Sequence, residues 1–253
     1  MGDEHRSQVE RRKATAVRLV GDASPAAARI ATAPPGYLLA HTPSDIVRHG
    51  ELLSPLPAPG EVRVVATPAR SPGEWHLDIA GRDRPGLLAA FTGVLVDSAI
   101  DVIQAVLATW DDDGALQAFV IKSADPPQPA ILQHAFAASL DKPLSSPPIA
   151  DAHLTFDHAV SPLYTRCDVA AADRPGLLQA IAVAIATTGA DIHAARVTTV
   201  DGVARDRFDL SHRTGRKLDP TLEDTIRARI RGGVNPPRPG RRIGTGARWS
   251  RRA

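Results

Sequence analysis

The stretch "GRDRPGLL" at residues 81–88 returns as "AADRPGLL" at residues 171–178, so Asp-Arg-Pro-Gly-Leu-Leu recurs after ninety positions. Internal self-similarity outranks other sequence signals for a fold assignment, and here the surroundings repeat as well. Before the first copy, "WHLDIAG" (75–81) alternates apolar and polar residues as a half-buried strand does. After it, Leu87, Leu88, Phe91, Val94 and Leu95 fall at helical spacing. "DVIQAVLATW" (101–110) and "ALQAFVIK" (115–122) are apolar runs separated by "DDDG", a hairpin signal. "PAILQHAFAASL" (129–140) reads as a second helix and "DAHLTFDHAV" (151–160) as a fourth strand.

The second copy repeats the pattern. "LYTRCDVAA" is the strand, Leu177, Leu178, Ile181 and Ile185 mark the helix, and "DIHAARVTTV" with "ARDRFDLS" forms the hairpin. "DPTLEDTIRARIRGG" is the second helix, capped by Asp219 or Thr221. Phe119 aligns with Phe208 at an offset of 89, because the second hairpin turn is one residue shorter. No fourth strand is evident in this copy. The expected fold class is α+β: two tandem ferredoxin-like βαββαβ units with a short helical N-terminal segment.

The expected organisation is a helical segment and Pro-rich linker over residues 1–60, one repeat over 61–160, the second over 161–234, and a disordered basic tail over 235–253. Within the first part, residues 8–33 read as one or two helices ended by "APPG" at 33–36. Ser44 or Thr42 caps a further helix through Ile46, Val47 and Leu52, before the linker "SPLPAPG" at 54–60.

Net charge is +2, but nine arginines and no acid lie after residue 226, so the body before them sums to −7. A nucleic-acid reader carries its positive charge on the folded surface. A tail contact with phosphates is therefore the weaker reading, the more so because only Trp249 interleaves the tail arginines. The single cysteine, Cys167, precludes an intramolecular disulfide and a thiolate metal site. No apolar leader and no run of about eighteen apolar residues appear, which points to a soluble cytoplasmic protein with no membrane partner.

The repeated six residues sit at a strand-to-helix junction. Pro85 suits a first helical position, and Arg84, pushed to extended backbone by that proline, would be the cap. Gly86 leaves the first turn without a side chain, so its amides and the helix dipole would form an anion site fit for a carboxylate or a phosphate. The alternative is a plain turn in which Asp83 satisfies the helix amides itself, and the residues alone do not choose between the two.

"DRPGLL" after a strand, followed by a hairpin ending in Phe, resembles the ACT domain. The tandem pair with "YLLAHTPSDIVRH" upstream, and "FDHAVSPLYTRCDVAAADRPG" as the join, is similar to the C-terminal regulatory region of bacterial PII uridylyltransferase/uridylyl-removing enzymes over residues 36–232. The resemblance implies sensing of a small amino acid, glutamine in that family. The implied ligand residues are Asp83, Arg84, Pro85, Gly86 and Leu87 with Asp101, and Asp173, Arg174, Pro175, Gly176 and Leu177 with Asp191. Many ACT domains carry Asn where this chain has Asp101 and Asp191; an Asp pairs with a ligand ammonium and repels a carboxylate.

The chain contains neither the "GS…DxD" pattern nor any "HD" doublet of that family's catalytic domains, so no catalytic residue, metal or cofactor is expected. His153 and His158 at spacing five point to opposite strand faces. Asp111, Asp112 and Asp113 fill a hairpin turn, where acids are ordinary. Two readings follow: a non-catalytic amino-acid sensor, or a separately encoded or truncated tail that docks on uridylyltransferase catalytic domains. ACT sheet edges can be satisfied by an internal pair or by a homodimer, and the sequence leaves that open.

Overall fold

The computed structural model describes residues 3–235. Four helices come first: α1 (Asp3–Val20), α2 (Pro25–Ala31), α3 (Pro35–Ala40) and α4 (Pro43–Leu52). The starts of α2, α3 and α4 are chemically marked. Ser24 accepts a hydrogen bond from the Ala26 amide, and Thr42 closes a capping box with Asp45. Pro25, Pro35 and Pro43 stand at first helical positions, where a missing N–H costs nothing.

The chain then runs through β1 (Arg63–Pro68), β2 (Glu74–Arg82), α5 (Leu87–Asp97), β3 (Asp101–Thr109), β4 (Gly114–Lys122) and α6 (Pro129–Ser139). It continues as β5 (His153–Asp157), β6 (Thr165–Ala172), α7 (Leu177–Ala186), β7 (Ala190–Val197), β8 (Thr199–Val200), β9 (Val203–His212) and α8 (Pro220–Gly232). Asp219 caps α8 by accepting from the Leu222 amide. Asp201 and Gly202, both at positive φ, make the tight turn before β9.

One antiparallel sheet holds all nine strands, in the order β1-β2-β4-β3-β7-β9-β6-β5 with β8 on β9. The halves meet edge to edge where β3 pairs with β7, Ala105 opposite Val197 and Val106 opposite Arg196. The internal pairing of the two repeats is thus the one the chain adopts.

Two strand expectations need correction. Residues 153–157 do not return to the first repeat; β5 pairs with β6, Phe156 opposite Cys167. Its expected place beside β2 is taken by β1, which opens the first repeat just after the Pro-rich linker and was not expected as a strand, with Val64 opposite Ile79. After α6 the chain instead crosses to α8, where Ile149 donates to Ile230 O and Ser146 bridges Val234. Each half therefore keeps the spatial order of a ferredoxin-like sheet, but its chain order is ββαββα. That also supplies the strand missing from the second copy.

Helices α5–α8 lie on one face over a core of Leu77, Ile79, Phe91, Phe119, Phe136, Ile181, Phe208 and Ile226, with Phe91 and Phe136 ring centroids 4.9 Å apart. On the other face of the first half, Ala80, Ala108, Leu116 and Ala118 carry α1–α4 through Ile30, Tyr37, Leu38 and Ile46. A period of two explains both layers, since alternate residues of β2 and β4 feed opposite faces. No described helix is long and apolar enough to cross a membrane. The basic tail lies outside the described residues.

Candidate ligand-binding clefts

Both DRPG stretches form the same turn. Leu87 N donates to Arg84 O at 3.1 Å with Gly86 at φ 83°, ψ 7°; Leu177 N donates to Arg174 O at 3.1 Å with Gly176 at φ 80°, ψ 3°. Proline at the second position and a left-handed glycine at the third define a type II turn. This corrects the expected helix start: Pro85 lies outside α5, and Gly86, rather than Arg84, is its N-cap. The reason is that a type II turn needs its proline in an extended conformation, from which the helix cannot yet begin.

The cap carries no side-chain hydrogen bond in either copy. The Ala90 amide bonds to Gly86 O and the Ala180 amide to Gly176 O. Among the described residues, the N–H groups of Leu88 and Ala89, like those of Leu178 and Gln179, meet no acceptor. Among the described residues Asp83 accepts no hydrogen bond from a helix amide. Arg84 and Arg174 turn outward to Asp141 at 3.3 Å and Asp151 at 2.7 Å. The Asp151 carboxyl is held well below the usual range, chiefly by the Arg174 hydrogen bond.

Each turn opens into a cleft, and the clefts draw on both halves. Helices α5 and α7 pack antiparallel: a Cβ on Gly86 would lie 3.8 Å from Ala186, near the end of α7, and one on Gly176 would lie 3.7 Å from Val96, near the end of α5. The strand that follows each helix therefore starts beside the other helix's opening turn. The first cleft, about 230 Å³, joins Asp83–Ala89 to Asp191; the second, about 360 Å³, joins Asp173–Gln179 to Asp101. Asp101 and Gly86 are thus in different clefts, as are Asp191 and Gly176. In the first, crowding by the cleft walls pushes the Asp83 carboxyl up to about 6 although the residue itself is exposed, helped by the charges of Asp191 and Asp113.

Two buried polar residues escape a sequence reading. Gln117 on β4 is 3% exposed and lines the first cleft; Asp206 on β9 is 2% exposed and lines the second. Among the described residues, Gln117 Oε1 and Asp206 Oδ1 have no hydrogen-bond partner. Both stand two residues before the aligned Phe119 and Phe208. The only signal was a polar residue on the inward beat of a strand.

A second polar cluster lies under the helical layer. Tyr37 OH meets His49 Nδ1 at 2.9 Å, His49 Nε2 lies 3.1 Å from Asp78 Oδ1, and Arg48 Nε donates to Asp78 Oδ2 at 2.6 Å. Burial alone would raise the Asp78 carboxyl; the close approach of His49 and the charge and hydrogen bond of Arg48 outweigh it and hold it low. His41, packed against both rings, is pushed down to about 3 by burial and by His49. This cluster ties α4 to β2.

The remaining sequence candidates are structural. Asp112 pairs with Arg29 at 2.7 Å, and Asp113 takes the positive φ of the hairpin turn. His158 meets Glu223 at 2.6 Å, whereas His153 is exposed on β5. Cys167 is fully buried mid-strand, and burial pushes its thiol up to about 12.

No family model matches the chain. It is 26% identical over 211 residues to the bifunctional uridylyltransferase/uridylyl-removing enzyme of Rhodospirillum rubrum, a match covering 73% of this chain and 22% of that enzyme. The same enzyme of Gluconobacter oxydans is 26% identical over 201 residues (67% and 21%), and that of Aliivibrio fischeri 25% over 200 residues (72% and 23%). This chain is similar to the C-terminal part of those enzymes. It spans about a fifth of the length of the curated relatives it matches. Among solved structures, an aspartate kinase from Synechocystis aligns at 16% identity over 62% of this chain and 26% of its own, with a TM-score of 0.34.

Proposed function

We propose that the chain is a non-catalytic regulatory module that binds a small amino acid, glutamine by its likeness to uridylyltransferase/uridylyl-removing enzymes, in the two clefts between its halves. One observation carries the reading: each repeat leaves open amides at a type II turn, facing a carboxylate contributed by the other repeat. The amides and helix dipole suit a ligand carboxylate, and the acid across the cleft suits its ammonium. Because each cleft needs both halves, occupancy would stiffen the β3–β7 seam, which is how a binding event would reach an attached domain. Titration calorimetry with the twenty amino acids tests this. Heat and a raised melting temperature with one or a few of them is expected; neither with any of them refutes it.

The helical layer favours a second reading, in which the chain docks on the catalytic domains of such an enzyme. α1–α4 cover only the first half and belong to neither repeat. Added to separately purified uridylyltransferase catalytic domains, the chain would alter their rate in an amino-acid-dependent way; an unchanged rate removes the reading. A homodimer, if formed through the sheet, would have to use the outer edges β1 and β5.

A further inference from the structure

The two clefts are built on one pattern, yet they differ at the one position where each buries an unsatisfied polar atom. Gln117 and Asp206 sit at equivalent places on β4 and β9, each on the helix-facing side of its strand and each lining its own cleft. A buried polar atom without a partner costs on the order of 1–3 kcal/mol, more when it is charged. A fold retains such an atom when something else supplies the missing hydrogen bond. In the first cleft the atom belongs to a neutral amide, in the second to an ionisable carboxyl.

We propose that Asp206 gives the second cleft a buried carboxyl for a ligand ammonium group, a contact that neutral Gln117 does not supply in the first cleft, where Asp191 and Asp83 are the acids at hand. The proposal rests on the reading of these clefts as amino-acid sites. Within this cleft the charged groups beside Asp206 are Asp173 and Arg174 from the turn, Asp101 from the start of β3 and Lys122 from the end of β4; the pocket that Asp206 borders toward β5–β7 adds His153, Asp168, Arg196, Arg205 and Arg207. Helices α5 and α7 bring no charge, only Thr92 and Gln179. Arg174 is held by Asp151, so within this cleft Lys122 is the one cation facing three acids without an ion pair among the described residues. Asp101 is exposed and its attraction is screened by water, whereas Asp206 is 2% exposed and attracts a cation in a low-dielectric setting.

Protonation follows from the same geometry. Burial first, and the Asp173 charge second, push the Asp206 carboxyl up to about 7, against a hydrogen bond from the Thr198 backbone. Without ligand, Asp206 therefore holds a proton below neutrality. An ammonium favours the ionised form, so binding releases that proton, and affinity rises with pH until the free carboxyl is already ionised.

The probes are L-glutamine and 4-carbamoylbutanoate, the same molecule without its amine, titrated into the full chain at pH 6 and pH 8. L-Glutamine is expected to bind about tenfold tighter at pH 8, the ratio of ionised Asp206 at the two values. Heats in buffers of different ionisation enthalpy should report a proton release at pH 6 that persists in Asp83→Asn, which removes the raised carboxyl of the first cleft, and that is lost in Asp206→Asn. 4-Carbamoylbutanoate should show neither effect at this cleft. Asp206→Asn should weaken L-glutamine and remove the rise, while Gln117→Asp should create a second pH-dependent event in the first cleft. Binding of L-glutamine with no proton release, or with an affinity and pH profile unchanged in Asp206→Asn, overturns the ammonium assignment and leaves the amino-acid reading standing. If none of the twenty amino acids binds, both fall.

Discussion

Asp78 and Asp168 hold the same place in the two repeats, and they lead opposite lives. Asp78 on β2 has a side chain 3% exposed, enclosed by Arg48 and His49 of α4. Asp168 on β6 has a side chain 42% exposed and meets Arg207 across the strands at 2.8 Å. The strands are equivalent; what differs is the layer above them. α1–α4 roof the first half, where Ala118 stands at the place that Arg207 takes in the second. The unroofed face keeps Arg166–Asp209 and Asp168–Arg207 as solvent-facing pairs. One duplicated scaffold thus yields a three-layered half that can hold a buried charge network and a two-layered half that cannot. A sheet face dictates little by itself; the residues covering it decide whether a carboxylate is a structural tie or a surface charge.

The sharpest way to break that comparison is to remove both acids. Asp78→Ala leaves Arg48 and His49 facing each other without their carboxylate, and is expected to cost about 3–5 kcal/mol in urea unfolding. Asp168→Ala is expected to stay within about 1 kcal/mol, because an exposed cross-strand pair contributes little. Equal losses would mean that the roof does not distinguish the two faces.

A smaller effect separates the inward positions Gln117 and Asp206. A carboxyl raised to about 7 binds its proton more tightly in the folded than in the unfolded chain, whose ordinary carboxyl titrates near 4. Its contribution to stability is full below about pH 4 and is lost as pH rises through 7. Asp206→Asn should therefore stabilise the protein at pH 8 by up to about 4 kcal/mol, seen as a raised melting temperature, and change little at pH 4. Gln117→Leu should show no such pH dependence. A pH-independent effect of Asp206→Asn would place that carboxyl in contact with solvent.

How far the molecule could be read in advance follows from where each fact resides. The repeat, its helices and its hairpins are local patterns of period and turn chemistry, so they were legible in "DRPGLL" and its flanks. The partner of residues 153–157 was not, because a strand between two repeats has the same alternation whichever neighbour it joins. β1 was missed because "RVVATP" is short, follows directly on the Pro-rich linker and ends in a proline of its own. The contents of the clefts were half legible: the turns and Asp101 and Asp191 are motif positions, but which turn meets which Asp depends on the antiparallel packing of α5 on α7. Gln117 and Asp206 lay in the strands "ALQAFVIK" and "ARDRFDLS". Only their burial distinguishes them from surface polar residues.

The mildest comparison concerns the two turn glycines themselves. Gly86 and Gly176 share a left-handed backbone at φ 83° and 80°, so alanine at either carries the steric cost of that region, about 1–2 kcal/mol. Their surroundings differ. A Cβ at Gly86 would press on Leu144 Cδ1 at 3.0 Å, while at Gly176 it would make ordinary contact with Val96 at 3.7 Å. Leu144 lies in the crossing from α6 toward α8, and its terminal methyl can rotate away at modest cost. Gly86→Ala should therefore cost about 2 kcal/mol and Gly176→Ala about 1 kcal/mol in urea unfolding. The order matters more than the values, because backbone strain alone makes the two equal. Equal losses would show that Leu144 yields without resistance, and that the first turn is held only by its backbone.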